Sequence, residues 1–90
     1  MSTGNDQTLL TFPCEFPIKV MGAADPEFVL RVLELVRRHI PDVNGDHVAT
    51  TASRRGNYVS VTVTVTATSK GQLDAVYRSL NADTQVVMTL

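Results

Sequence analysis

What this 90-residue chain has little of sets the first limits on what it does. It has one cysteine, no tryptophan and only 6% aromatic residues. With Cys14 alone, no disulfide forms within the chain, and a single free thiol suits a reducing compartment. No apolar run approaches the roughly 18 residues needed to span a bilayer. The opening stretch Met1-Ser2-Thr3-Gly4-Asn5-Asp6-Gln7 is polar and has neither the basic nor the apolar segment of a secretory leader. These features predict a cytoplasmic protein. Eight basic side chains stand against nine acidic ones, a formal net charge of -1, so the basic excess that draws proteins to nucleic acid or anionic lipid is missing.

Catalytic groupings are just as scarce. Cys14 lies between Pro13 and Glu15 with no local histidine to activate it, so only a histidine remote in sequence could serve as its base. No glycine-rich phosphate loop of recognised spacing is present. His39 and His47 lack partners at metal-ligand spacing. Asp42-Val43-Asn44-Gly45-Asp46 opens like a calcium loop, but its glycine comes fourth instead of sixth. Ser53 also holds the twelfth position, where a bidentate glutamate belongs. A turn rich in Asn, Asp and Gly explains the segment. The expectation is a protein that is not an enzyme and carries no metal or cofactor.

What is present is the pattern of a small globular domain, 43% apolar and 19% charged. Residues 1–8 read as a disordered polar tail, and residues 9–90 as one domain. Leu9, Leu10 and Phe12 sit among Pro13 and Pro17, which forbid a helix and favour extended chain. A first strand is predicted over Phe16–Met21. A helix follows from Pro26 to about His39, with Asp25 as its cap and Pro41 as its stop. Its apolar stripe is Val29, Val32, Leu33, Val36 and Ile40, widened by Phe28 and Leu35 on one flank, with Leu30 well away.

A second strand is predicted over His47–Ser53, then a hairpin tip at Arg54-Arg55-Gly56-Asn57. From Tyr58 to Ala67 valines alternate with serine and threonine, a strict period of two. Ser69-Lys70-Gly71-Gln72 reads as a capping box opening a second helix lined by Leu73, Val76, Tyr77 and Leu80. A last strand spans Gln85–Leu90, with Val86, Met88 and Leu90 on one face.

Strand, helix, strand, strand, helix, strand is the order of the α+β ferredoxin-like βαββαβ sandwich. Right-handed crossovers put both helices on one face of a four-stranded antiparallel sheet, with the first and third strands central. The uncovered face is predicted to carry Lys19, Met21, Tyr58, Ser60, Thr62, Thr64, Val87 and Thr89. Open sheet edges invite pairing, so a homodimer is expected. RNA-recognition modules of this topology stack bases on aromatic rings at the centre of the sheet. Thr62 and Thr64 stand there instead, which leaves RNA binding a distant third reading.

Two segments are candidate sites. Gly22-Ala23-Ala24-Asp25-Pro26 leaves room beside a helix N-terminus, where free amides receive a small ligand. Arg54, Arg55, Asn57 and Tyr58 form an exposed projection of residue types enriched in protein interfaces.

Phe12-Pro13 and Phe16-Pro17, Lys19-Val20-Met21-Gly22, Gly56-Asn57-Tyr58 with its alternating strand, and Val87-Met88 together resemble the YbeD-like family of small bacterial proteins, over residues 9–90. That family is similar in fold to ACT domains, the regulatory modules of amino-acid metabolism, so the resemblance implies an ACT-like, ferredoxin-like fold and no particular activity. ACT domains bind amino acids and other small ligands at the glycine-containing turn after the first strand, usually across a dimer interface. Gly22, Asp25 and Pro26 match that turn, while Glu27 stands where a second glycine is common. The leading functional expectation is a non-enzymatic regulatory module that docks, as a dimer, on a protein partner. The alternative is a free-standing sensor of an amino acid or metabolite.

Overall fold

Alternating valine and threonine build the strand on which the sheet is assembled. In the computed structural model, which describes residues 11–89, β3 (Tyr58–Ala67) lies antiparallel to β1 (Cys14–Ala23), with Cys14 opposite Ala67 and Ala23 opposite Tyr58. β2 (Val48–Ala52) pairs with the far side of β3, and β4 (Val86–Thr89) with β1. The strand order is therefore β2-β3-β1-β4, all neighbours antiparallel, with β3 and β1 central. The predicted tail, residues 1–8, lies outside the described residues, as do Leu9, Leu10 and Leu90.

β1 extends beyond the predicted Phe16–Met21 at both ends, from Cys14 to Ala23, and Pro17 lies within it. Pro17 faces Thr64 of β3, while the β4 pairing reaches only Val20–Gly22. Pro17 thus has a strand on one side only, where a missing amide donor is tolerated.

Both helices cover one face. α1 (Pro26–Arg37) starts as its sequence dictates: Asp25 Oδ1 accepts from the Glu27 amide at 2.9 Å, and Pro26 takes the first turn. α2 (Lys70–Asn81) is capped by Ser69, whose Oγ accepts from the Gln72 amide at 3.1 Å. The second half of the predicted box is displaced. Gln72 Oε1 accepts from the Thr68 amide at 2.8 Å, and Gln72 Nε2 donates to the His39 carbonyl at 3.3 Å. His39 Nε2 lies 2.8 Å from Ser79 Oγ, so the end of α1 is bound to α2 by two polar contacts.

The core is a layer of Ile18, Val20, Val61, Val63, Val65 and Ala67 under Phe28, Val32, Leu35 and Val36 of α1 and Leu73, Val76 and Leu80 of α2. α1 is rotated from its predicted orientation. Phe28 and Leu35, expected on the flank, are fully buried, whereas Val29 and Leu33 are only partly so. Val43 is an unpredicted core residue, 3% exposed. The turn that carries it closes with the Val43 amide donating to Ile40, and Asn44 then caps the 3-10 turn Gly45–His47. Asn44 Oδ1 accepts from the Asp46 amide and the Asn44 amide donates to His47 Nδ1, so His47 belongs to a turn and not to the predicted strand.

One prediction for the uncovered face is corrected. Val20 faces Thr89 and Met21 faces Met88, but Gly22 faces Val86, so β4 carries an extra residue at Val87. This bulge breaks the alternation on which the predicted facing rested. Val87 and Met88 are both exposed, at 59% and 48%, while Thr89 Oγ1 donates to Asn81 Oδ1 on the helix side.

Candidate functional site

The two segments picked out in the sequence meet at one end of the sheet. Ala23 is the register partner of Tyr58, and the Ala24 amide donates to the Asn57 carbonyl at 3.1 Å, joining the Gly22–Pro26 turn to the β2–β3 hairpin. The hairpin is fixed from inside. The Ser53 amide donates to the Tyr58 carbonyl, the Tyr58 amide to Ser53 Oγ, and the Gly56 amide to the Ser53 carbonyl. Gly56 has φ 77°, a left-handed conformation that glycine adopts without strain. Arg54 and Arg55 therefore project from a defined turn, both exposed, with no ion-pair partner among the described residues.

Beside this hairpin the open sheet face, otherwise lined by Lys19, Ser60, Thr62 and Thr64, carries an apolar patch. Met21 stands between Ser60 of β3 and Met88 of β4, and the next pair along is Ala23 with Tyr58. Tyr58 is 45% exposed, and Val87 adds its side chain at the bulge. Lys19, opposite Thr62, borders the patch on the other side. The result is a cluster of Met21, Tyr58, Val87 and Met88 flanked by Lys19, Arg54 and Arg55. The arginines and Tyr58 were legible as a site. Met21 and Val87 are legible as residues of the open face, but Met88 is not, because it joins the patch only through the bulge.

At Gly22 the predicted room is not open. Gly22 is buried in β1, and a Cβ built on it would come within 2.3 Å of the Phe28 ring and 2.8 Å of the Gln85 carbonyl oxygen. The room beside this glycine is filled by the chain's own phenylalanine. Ala23, Ala24, Asp25 and Pro26 are exposed, and the last three, with Val29, Thr50, Ala52 and Val59, line a shallow depression of about 200 Å³. Asp25 Oδ1 is engaged by the Glu27 amide.

Elsewhere, one carboxylate ties the helix layer to the entry of β4. Asp83, whose side chain is 6% exposed, accepts from Arg31 Nε at 2.7 Å and from the Gln85 amide at 2.8 Å. These two bonds, the amide first, hold its carboxyl below the usual carboxylate range. Burial raises the Tyr77 hydroxyl, and that ring packs edge-on against Phe16 with centroids 6.5 Å apart. No group of three or more His, Cys, Asp or Glu side chains able to hold a metal occurs among the described residues. No helix among them is long and apolar enough to cross a membrane.

Comparison with known proteins fixes the lineage. Residues 7–90 match the family model described as "Protein of unknown function (DUF493)". The chain belongs to the DUF493 family. Its DUF493 relatives include a UPF0250 protein of Neisseria gonorrhoeae, 46% identical over 86 residues covering 96% of this chain and 94% of the relative. Another, from Paraburkholderia phytofirmans, is 44% identical over the whole of both chains. The solution structure of protein HP0495 from H. pylori superposes with a TM-score of 0.72 at 16% identity, covering 90% of this chain and 85% of that one. At that identity the likeness establishes the fold alone, the ferredoxin-like βαββαβ arrangement predicted for this DUF493 chain.

Proposed function

We propose that this chain is a non-enzymatic docking module that binds and regulates a protein partner through the end of its open sheet face. One observation carries the reading: exposed Tyr58, Val87 and Met88, with half-buried Met21 between them, form an apolar cluster beside Arg54 and Arg55, two cations without ion-pair partners among the described residues. Methionines adapt to irregular apolar surfaces, and tyrosine and arginine are the residue types that dominate binding energy at protein interfaces. The partner that fits is a protein segment with an apolar anchor beside acidic side chains. The anchor sits over Met21 and Met88, and the acids face the hairpin.

The test begins with the immobilised protein and its own cell lysate. A retained partner is then purified and its affinity measured against Tyr58→Ala, Met88→Ser and the pair Arg54→Ala/Arg55→Ala. All of these positions are exposed, so circular dichroism should stay unchanged. Tyr58→Ala should weaken binding about tenfold, the loss typical of a central aromatic contact. The double arginine variant should weaken it about threefold and flatten its salt dependence. A partner that binds all three variants as it binds the wild type refutes the docking face.

A further inference from the structure

The outer face of α1 carries a second surface, independent of the sheet. At 3.6 residues per turn Leu30 projects about 180° away from the middle of the buried Phe28, Val32, Leu35 and Val36 stripe. It is 66% exposed, the highest value among the large apolar side chains of the described residues. On either side of it lies a shallow depression. One, of about 470 Å³, is lined by Leu30, Leu33, Glu34, Arg37, Arg38 and Pro41; the other, of about 440 Å³, includes Glu27, Leu30 and Glu34. Charge is ordered along this line, with Glu27 in the first turn and Arg37 in the last. Neither has an ion-pair partner among the described residues, while Glu34 is neutralised within the chain by Arg31 at 3.2 Å and Arg38 at 3.7 Å.

A helix face with an unpaired acid at one end, an unpaired base at the other, and Leu30 beside the internally neutralised Glu34 between them is complementary to itself when turned end for end. We infer that this face binds a second copy of the chain, α1 against α1, antiparallel about a two-fold axis. In the register that sets Glu27 opposite the second copy's Arg37, Leu30 comes opposite the second copy's Glu34. There it enters the depression between Leu30, Leu33, Glu34 and Arg37, and by symmetry the second copy's Leu30 enters the first chain's depression. Each end then carries one Glu27–Arg37 pair with Arg38 close by. Parallel pairing would set Glu27 on Glu27 and Arg37 on Arg37, so the charges select the antiparallel geometry. A contact built on one 12-residue helix per copy is small and gives a weak dimer, on the order of micromolar or weaker. The open sheet faces lie on the opposite layer and stay uncovered, so each dimer presents two of them.

Sedimentation equilibrium of the full chain from about 1 µM to about 1 mM tests this directly. The wild type should associate to a dimer that weakens with added salt. Glu27→Arg alone, and Arg37→Glu with Arg38→Glu, should each reduce association at least tenfold, because like charges then meet at both ends. Mixing the two reversed variants should restore association. At one end the arginine introduced at position 27 meets the glutamate introduced at position 37, and at the other the unchanged Glu27 and Arg37 meet as before. Circular dichroism confirms that the reversed helices remain folded, and Leu30→Glu, at an exposed position outside the core, should abolish the dimer without relying on the helix ends. A monomer at every concentration overturns the inference. So does a dimer indifferent to these changes, or a mixture no more associated than its components. Sheet-face variants such as Met88→Ser should leave the dimer intact, which separates failure here from failure of the docking face.

Discussion

Gly22→Ala should lower the stability of the protein by about 3 kcal/mol, equivalent to a fall in melting temperature of about 15 °C for a domain of this size. The methyl group would sit 2.3 Å from the Phe28 ring and 2.8 Å from the Gln85 carbonyl, and neither is free to retreat. Phe28 is 2% exposed and packed in the first turn of α1, while Gln85 begins the chain into β4. The cost is steric. Gly22 lies inside a strand and not at a left-handed turn, so the usual conformational argument for glycine does not apply. Phe28→Leu alone should also destabilise, by roughly 1–3 kcal/mol, because it opens a cavity over the sheet. In the double variant the smaller side chain vacates part of the space the methyl group needs. The losses should therefore fall short of the sum by about 1 kcal/mol or more. Urea denaturation of the four proteins in the cycle measures this coupling. Strict additivity would mean that ring and glycine do not share the space.

That contact illustrates where sequence reasoning stops. The alternation of Tyr58–Ala67 gave its strand to the residue, because period two is a local property of the chain. Asp25-Pro26 gave the start of α1 for the same reason, since cap and first turn are adjacent in sequence. Gly22, by contrast, reads as a glycine before a helix, and both a roomy ligand turn and a packed crossing fit that reading. Only the seating of Phe28 six residues later separates them. The docking cluster divides along the same line. Arg54, Arg55 and Tyr58 are announced by hairpin chemistry, whereas Met88 reaches the open face through a bulge that depends on how β4 docks on Gly22. The orientation of α1 is intermediate: Leu30 stands outside any apolar stripe in the sequence, but which flank meets the sheet is decided by the partner residues.

Replacing Asp83 by alanine should cost about 2 kcal/mol and loosen β4 in particular. The carboxylate performs two tasks: Oδ2 accepts from Arg31 Nε of α1, and Oδ1 from the Gln85 amide where the chain turns into β4. The Asp83 carbonyl also accepts from the Val86 amide, so the residue frames the entry to a strand of four residues. Asp83→Asn keeps an acceptor for Gln85 and loses the charge facing Arg31, so it should cost about 1 kcal/mol, a modest figure because the Arg31 side chain is 41% exposed. The pH dependence follows from the sign of the shift. The folded carboxyl titrates below its ordinary value, so its stabilisation is complete above the ordinary carboxylate range, near pH 4, and is lost as pH falls through the depressed folded value. The stability gap between wild type and Asp83→Asn should therefore be constant at neutral pH and close on acidification. A gap that persists at low pH would assign the loss to packing and not to charge. Hydrogen exchange localises the effect: in Asp83→Ala the amides of Val86–Thr89 should lose protection while those of β3 keep theirs. Because β4 holds Val87 and Met88 in the exposed cluster, the same substitution should weaken partner docking without touching the surface, which links a buried carboxylate between the helix layer and β4 to the shape of the open sheet face.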